Sequence, residues 1–337
     1  MPKHQESIRS MVFSSIKENA IYYTQPAFTI HVLSTMVRAY RSAPFHASLR
    51  LVITHSHTPT QGQAMDTQDR KYKIKETFNA AAAGYDKPAL RFFKHAAEHL
   101  AQRMGFSGTE YVLDVATGTG AVALACARRL GVGHVTGIDL SEGMLAQARA
   151  KANTEKLGNL TLQCMDLETL DLGADTFDAA CCGFGIFFLP DMEAGLKIIA
   201  RHVKPGAAVG ITSFTGEVME PLSQKFLDRI QSYGVSLPPL SWKRLDTPEK
   251  LHALYRAAGL EQPLIYTEQV GYLLAGFDEW WDLVWHSGFR GLVSQLSSDD
   301  LARFTAAHRE EIEALAGNDG IALNVNVLIA VGRKPVR

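Results

Sequence analysis

From about residue 71 onward, two kinds of apolar pattern alternate along the chain. "KIKETFNAAAAGYD" and "PALRFFKHAAEHLAQRM" space their apolar positions at the period of a helix, and Pro88 suits a first helical turn. "YVLDVA", "HVTGIDL", "LTLQCMD", "FDAACCGFG" and "AAVGITSF" are instead short, nearly continuous apolar runs. Between them lie helical patterns, among them "AVALACARRL", "EGMLAQARAKANTEK" and "MEAGLKIIARHV", with Ser141 and Asp191 placed to cap the last two. Short strands alternating with helices predict a parallel sheet covered on both faces, and strands buried on both faces should be apolar throughout.

After Phe214 the rhythm changes. "MEPLSQKFLDRIQSYG" and "TPEKLHALYRAAGL" read as helices, the second capped by Thr247 with Pro248 at its first position. "PLIYTEQVGYLL" reads as a sixth strand, residues 278–315 as mostly helix with a capping spacing at Ser297 and Asp300, and "IALNVNVLIAVGRK" as a seventh strand. The prediction is an α/β, Rossmann-like sheet of seven strands with an added helical cover. A core over about 71–215 is followed by the cover and the last two strands over about 216–337. Residues 1–64 differ: six Lys or Arg stand against two acids, without a sustained apolar period. They read as a disordered leader, an organelle transit segment, or a start assigned too early with Met65 as the first residue; the domain proper is 65–337.

The charge balance narrows the function. A formal net charge of −1 shows no basic excess of the kind that marks nucleic-acid binding. The longest apolar run, "AACCGFGIFFL", is about half the ~20 residues of a membrane span. Cys126, Cys164, Cys181 and Cys182 form no CxxC pair, and in their apolar surroundings they read as buried free thiols; no metal site is expected. A cytoplasmic protein follows, or one of an organelle matrix if residues 1–64 are a transit segment, as monomer or homodimer.

The stretch "YVLDVATGTGAVALACA" holds the first chemistry. Gly118-x-Gly120 at a strand-to-helix junction lets a ligand approach the backbone. Asp139 stands about 20 residues further on, as a ribose-binding acid does in dinucleotide sites. A nicotinamide oxidoreductase would need only these. Asp114, however, sits at the end of the first strand, awkward beside a pyrophosphate but apt for an ammonium group. Asp166 ends the third strand, where an acid can accept from an adenine amino group. Ammonium, ribose and adenine, with no phosphate, together describe S-adenosyl-L-methionine (SAM). The plain alternative is that each acid merely caps a helix or sits in a solvated turn.

Residues of about 71–215 resemble class I SAM-dependent methyltransferases, particularly the ubiquinone/menaquinone C-methyltransferase-like group. "FNAAAAGYD", "VLDVATGTG", "GIDLSEGML", "MDLETL", "DTFDAACCGFGIFFLPD" and "HVKPGAAV" are similar to its successive motifs. The resemblance implies an antiparallel last strand, Thr119 and Gly120 facing the methionine moiety, and Asp139 on the ribose. It also implies Met144 against adenine, Asp166 with Leu167 at the adenine edge, Gly183 beside the cofactor and Tyr85 as a lid. Where the quinone enzymes read like Phe-Gly-Leu-Arg-Asn, this chain has Phe184-Gly185-Ile186-Phe187-Phe188. Apolar bulk thus replaces two polar groups.

The expected activity is methyl transfer to a small apolar or aromatic acceptor, with a quinone precursor as the alternative. A nucleic-acid or protein methylase, a nicotinamide oxidoreductase and a non-catalytic SAM-binding protein are the competing readings. Phe184, Phe187 and Phe188, with Trp281 and Trp285 one helical turn apart, are candidates for the acceptor pocket, against plain core packing. His286 is the one candidate general base, and Arg290 is expected to pair with an acid on a neighbouring helix.

Overall fold

A computed structural model describes residues 61–336, with side chains from residue 68. The leader, residues 1–64, lies almost wholly outside the described residues. The elements that bear on the site are helices α1 (Gln61–Ala81) and α2 (Phe92–Arg103), strand β1 (Tyr111–Val115), α3 (Ala121–Ala127), β2 (His134–Asp139), α4 (Glu142–Thr154), β3 (Leu160–Cys164) and β4 (Phe177–Gly183). They are followed by α5 (Met192–His202), β5 (Val203–Phe214), α6 (Leu222–Ser232), α7 (Pro248–Ala257), β6 (Leu264–Gln269) and β7 (Tyr272–Leu274). The chain ends with α8 (Phe277–His286), α9 (Arg290–Val293), α10 (Ser298–Glu313), β8 (Ile321–Leu323) and β9 (Asn326–Arg333).

Seven strands form one sheet in the order β3-β2-β1-β4-β5-β9-β6. β1 to β5 are parallel, and β9 enters antiparallel between β5 and β6. The predicted class and the antiparallel last strand are both observed. The sheet's two faces are covered separately. On one face Val112 and Cys181 meet α2, α3 and the C-terminal helices. On the other, Leu113, Val115 and Cys182 meet α5 and α7. This two-sided burial is why the central strands are apolar at every position; each large aliphatic side chain withdrawn from water contributes roughly 1.5–3 kcal/mol.

The caps form as predicted. Ser141, Asp191, Thr247 and Ser297 each accept a bond from a backbone N–H in the first turn of the following helix. Three expectations are corrected. The sixth strand divides into β6 and β7 at Gly271, where an added Cβ would stand 2.0 Å from the carbonyl oxygen of Leu323. The seventh divides into β8 and β9, because β8 pairs with β7 in a separate two-stranded sheet. Cys164 is exposed at the end of the edge strand β3, whereas the other three thiols are buried. No described helix is long and apolar enough to cross a membrane.

Candidate active site

A cavity of about 410 Å³ opens at the carboxyl ends of β1 to β4, roofed by α1. The switch in strand order between β1 and β4 is where open α/β sheets bind ligands, and the volume is in the range of small-molecule pockets.

Its floor is the loop after β1. Ala116, Gly118 and Gly120 all have positive φ, of 54°, 56° and 85°. Gly118 takes that conformation without strain; alanine does not, so Ala116 is held there by its surroundings. The neighbouring loop after β4 presses close: a Cβ on Gly185 would lie 2.5 Å from that of Ala116, and one on Gly183 would lie 2.8 Å from Val122 Cγ2. Phe184, between them, is also left-handed at φ 55°. Two strained non-glycine residues therefore border the same cleft.

The three predicted acids line this cavity together. Asp114 is fully buried; its Oδ2 accepts from Thr117 Oγ1 at 2.5 Å, while Oδ1 has no partner among the described residues. Burial pushes its carboxyl up to about 7, against the opposing pull of the Thr117 bond. Asp139 accepts from Gly118 N and Ser141 N, both at 2.8 Å, so it ties the glycine loop to the start of α4. Burial, outweighing those bonds, raises its pKa as well. Asp166 accepts from Glu168 N at 2.9 Å and is paired with Lys71 at 2.8 Å.

Tyr85, Gly118, Thr119, Met144, Leu167, Gly183, Phe184 and Phe188 complete the predicted lining. Tyr85 stacks on Phe93 with ring centroids 5.1 Å apart, and Phe184 stacks on Phe214 at 4.4 Å. Phe93 meets Phe184 edge-on at 5.2 Å, which joins the two pairs into one aromatic wall. Phe78 and Phe188, in edge contact at 5.3 Å, add a second.

Other candidates lie elsewhere. Gly120 caps α3 and turns its α-carbon toward Leu124 and Ala148, so it shapes the loop without lining the cavity. Phe187 is buried in the core beneath the turn. Trp281 stacks on Phe277 and meets Trp285 edge-on; both pack against the core and neither reaches the cavity. The His286 ring packs against Gly84, where an added Cβ would be 1.8 Å from its Cδ2, and its Nδ1 is 2.7 Å from the carbonyl of Asp282. It is not among the residues that line the cavity. Arg290 meets the Trp285 ring and the Ala80 carbonyl, not an acid.

Sequence reasoning missed Lys71, Asn79 and Asp86. Asn79 Oδ1 accepts from Ser141 Oγ at 2.6 Å, which with Lys71 fastens α1 across the cleft. Asp86 accepts from Thr119 Oγ1 at 2.9 Å and Lys151 Nζ at 2.7 Å. The Tyr-Asp pair at the end of "FNAAAAGYD" pointed to Tyr85; the same pair holds the signal for Asp86.

The cavity's donor set suits SAM. An unpartnered buried carboxylate oxygen lies near the end of β1, a second acid at the end of β2 and a third just past β3. The methyltransferase domain family matches residues 112–206. Aklanonic acid methyltransferase of Streptomyces sp. (strain C5) is 32% identical over 149 residues, 43% of this chain and 68% of that protein. A demethylmenaquinone methyltransferase of Desulfitobacterium hafniense (strain Y51) is 31% identical over 206 residues, 58% of this chain and 78% of that protein. The chain belongs to the class I SAM-dependent methyltransferases. The fold of this methyltransferase also matches a candidate methyltransferase from Bacillus halodurans C-125, with a TM-score of 0.50 and 20% identity over 72% of this chain and all of the other. Some relatives are matched over less than two thirds of their own length, 60% in one case.

Proposed function

We propose that this methyltransferase binds SAM in the strand-end cleft and methylates a small apolar or aromatic acceptor. The observation that carries the reading is the convergence of Asp114, Asp139 and Asp166, from three successive strands, on one cavity with an aromatic wall beyond Gly183. Asp114 Oδ1 accepts from the ammonium. Asp139, already oriented by two backbone N–H groups, accepts from the ribose hydroxyls. Met144 and Leu167 flank the adenine, with Asp166 at its edge.

SAM supplies an activated methyl group on a sulfonium, displaced in line by the acceptor. The chain's part is to hold the acceptor and exclude water, for which orientation contributes at most roughly 7–11 kcal/mol. Phe184, braced between Phe214 and Phe93, presents a flat face to the acceptor; Tyr85, Phe78 and Phe188 close the cleft against solvent. Among the described residues no histidine lines the cavity, and its proton-accepting side chains are carboxylates. Asp114 speaks against a dinucleotide, since its buried oxygen would face pyrophosphate instead of a cation.

A quinone precursor fits the same acceptor class, and a relative is named for that activity. Phe188, in the cavity lining where those enzymes carry a polar group, favours a different ring system. The test is incubation with methyl-labelled SAM and a panel of phenols, quinols and 1,3-dicarbonyls, following S-adenosylhomocysteine release. Release dependent on a flat apolar acceptor is expected. Label moving instead to a protein or nucleic acid, with none to the panel, overturns the reading.

A further inference from the structure

We infer that the acceptor is an acid, and that Arg70 and Arg244 form a carboxylate-binding rim at the apolar end of the cleft. This rests on the proposed use of the cleft for methyl transfer. After β4 the chain makes a short turn, Ile186–Phe188, and runs on through Leu189 and Pro190, both of which line the cavity. Arg244 Nη1 donates to the carbonyl of Phe187 at 3.1 Å and to that of Leu189, and its Nη2 donates to Pro190 O at 2.9 Å. Arg70, from α1 and itself in the cavity lining, reaches Phe188 O at 3.4 Å. Two guanidinium groups from distant parts of the chain thus converge on the carbonyls of one five-residue segment.

Among the described residues, both guanidinium groups bond to carbonyls and neither is in an ion pair. Of the three arginines that line the cavity, Arg91 and Arg128 are each within 2.7 Å of a glutamate, while Arg244 stands just outside the lining, on a neighbouring surface pocket that shares Pro190 with it. Arg70 and Arg244 are hydrogen-bonded to carbonyls instead, and Arg244 has its pKa lowered by burial and by the nearby charge of Arg70. Asp191 offsets this in part, yet its Oδ1 is engaged in capping α5. Carbonyl dipoles do not neutralise two full charges, and like charges held together are costly where water is partly excluded. An incoming carboxylate removes that cost.

The donors are there to receive it. A guanidinium has five N–H groups in a planar fork suited to carboxylates, and only some are used by the carbonyls. Directly inside the rim stand Phe78, Ile186 and Phe188. A ligand matching both parts has a flat apolar body and a carboxylate at one end.

The test uses the full chain saturated with S-adenosylhomocysteine and titrated with 2-naphthoate and, separately, its neutral isostere 2-naphthamide. Naphthoate is expected to bind at least tenfold more tightly. Arg244→Gln and Arg70→Gln, which keep a donor for the carbonyls, should each erase most of that preference, leave naphthamide unchanged and leave S-adenosylhomocysteine affinity unchanged. Arg244→Lys, which keeps the charge but loses the fork, should fall between. Equal binding of the two probes, no binding of either, or a preference surviving in the double Gln variant overturns the proposal. Failure to bind S-adenosylhomocysteine would instead strike at the reading of the cleft itself.

Discussion

The floor of the cleft and the helical cover over residues 277–313 treat their polar groups in opposite ways. In the cover, Trp280 is fully buried, and its Nε1 donates to His308 Nε2 at 2.9 Å. His308 Nδ1 then faces Glu311 Oε2 at 3.3 Å, and Glu311 accepts two bonds from Arg229 at 2.6 and 2.8 Å. Every member has a partner, and burial holds the His308 pKa down at about 4. On the cleft floor, Asp114 keeps one oxygen unpartnered, and Ala116 and Phe184 hold left-handed conformations. Completed networks such as the first secure architecture. Unmet polar groups and backbone strain gather where a ligand completes the structure.

That contrast can be tested by breaking each side. Asp139→Ala removes the anchor of the glycine loop as well as the ribose acceptor, and should weaken SAM binding by roughly 100-fold or more, since bonds to charged groups contribute about 1.5–3 kcal/mol each. Calorimetric titration reads it; unchanged affinity would show that Asp139 serves the loop alone.

Asp114→Asn should weaken SAM by about tenfold at pH 8, the range of one charge-assisted bond. It should also flatten a pH dependence. With the Asp114 pKa raised to about 7 from 3.8, the unliganded protein keeps its proton below neutrality. An ammonium favours the carboxylate, so wild-type SAM affinity should rise from pH 6 to pH 8. By the same linkage, the stability that Asp114 contributes to the unliganded fold is lost as pH rises through 7. A variant keeping the full wild-type slope would place the titrating group elsewhere.

In the cover, Trp280→Phe strands the His308 acceptor and should cost about 1–3 kcal/mol of stability in urea unfolding, with SAM affinity unaltered. His308 works in the opposite pH direction from Asp114. Its lowered pKa means that stability is lost as pH falls from 6.5 toward 4, where the unfolded chain takes up a proton and the native one does not. Replacing it with Gln should shallow that acid slope. The smallest effect is expected at His286: Ala there should change turnover less than threefold, because the ring packs on Gly84 outside the cavity.

Much of this was legible in the sequence because it is local. Continuous apolar runs mark β1 to β5, cap residues mark the helix starts, and Asp114, Asp139 and Asp166 each stand at or just past the end of a strand. What escaped depends on partners far along the chain. Lys71 meets Asp166 95 positions away, and the break at Gly271 exists only because Leu323 crosses there. Spacing put Trp281 and Trp285 on one helix face but could not say that the face turns to the core. Nor could it show that the burial falls most heavily on Trp280, completed by a histidine 28 residues on.

The most direct measurement of the central claim is calorimetric titration of the purified chain with SAM, S-adenosylhomocysteine and NADH in parallel. Micromolar binding of both adenosyl ligands with no heat from NADH is the predicted result. NADH binding without either adenosyl ligand would contradict it, and would make the cleft a dinucleotide site.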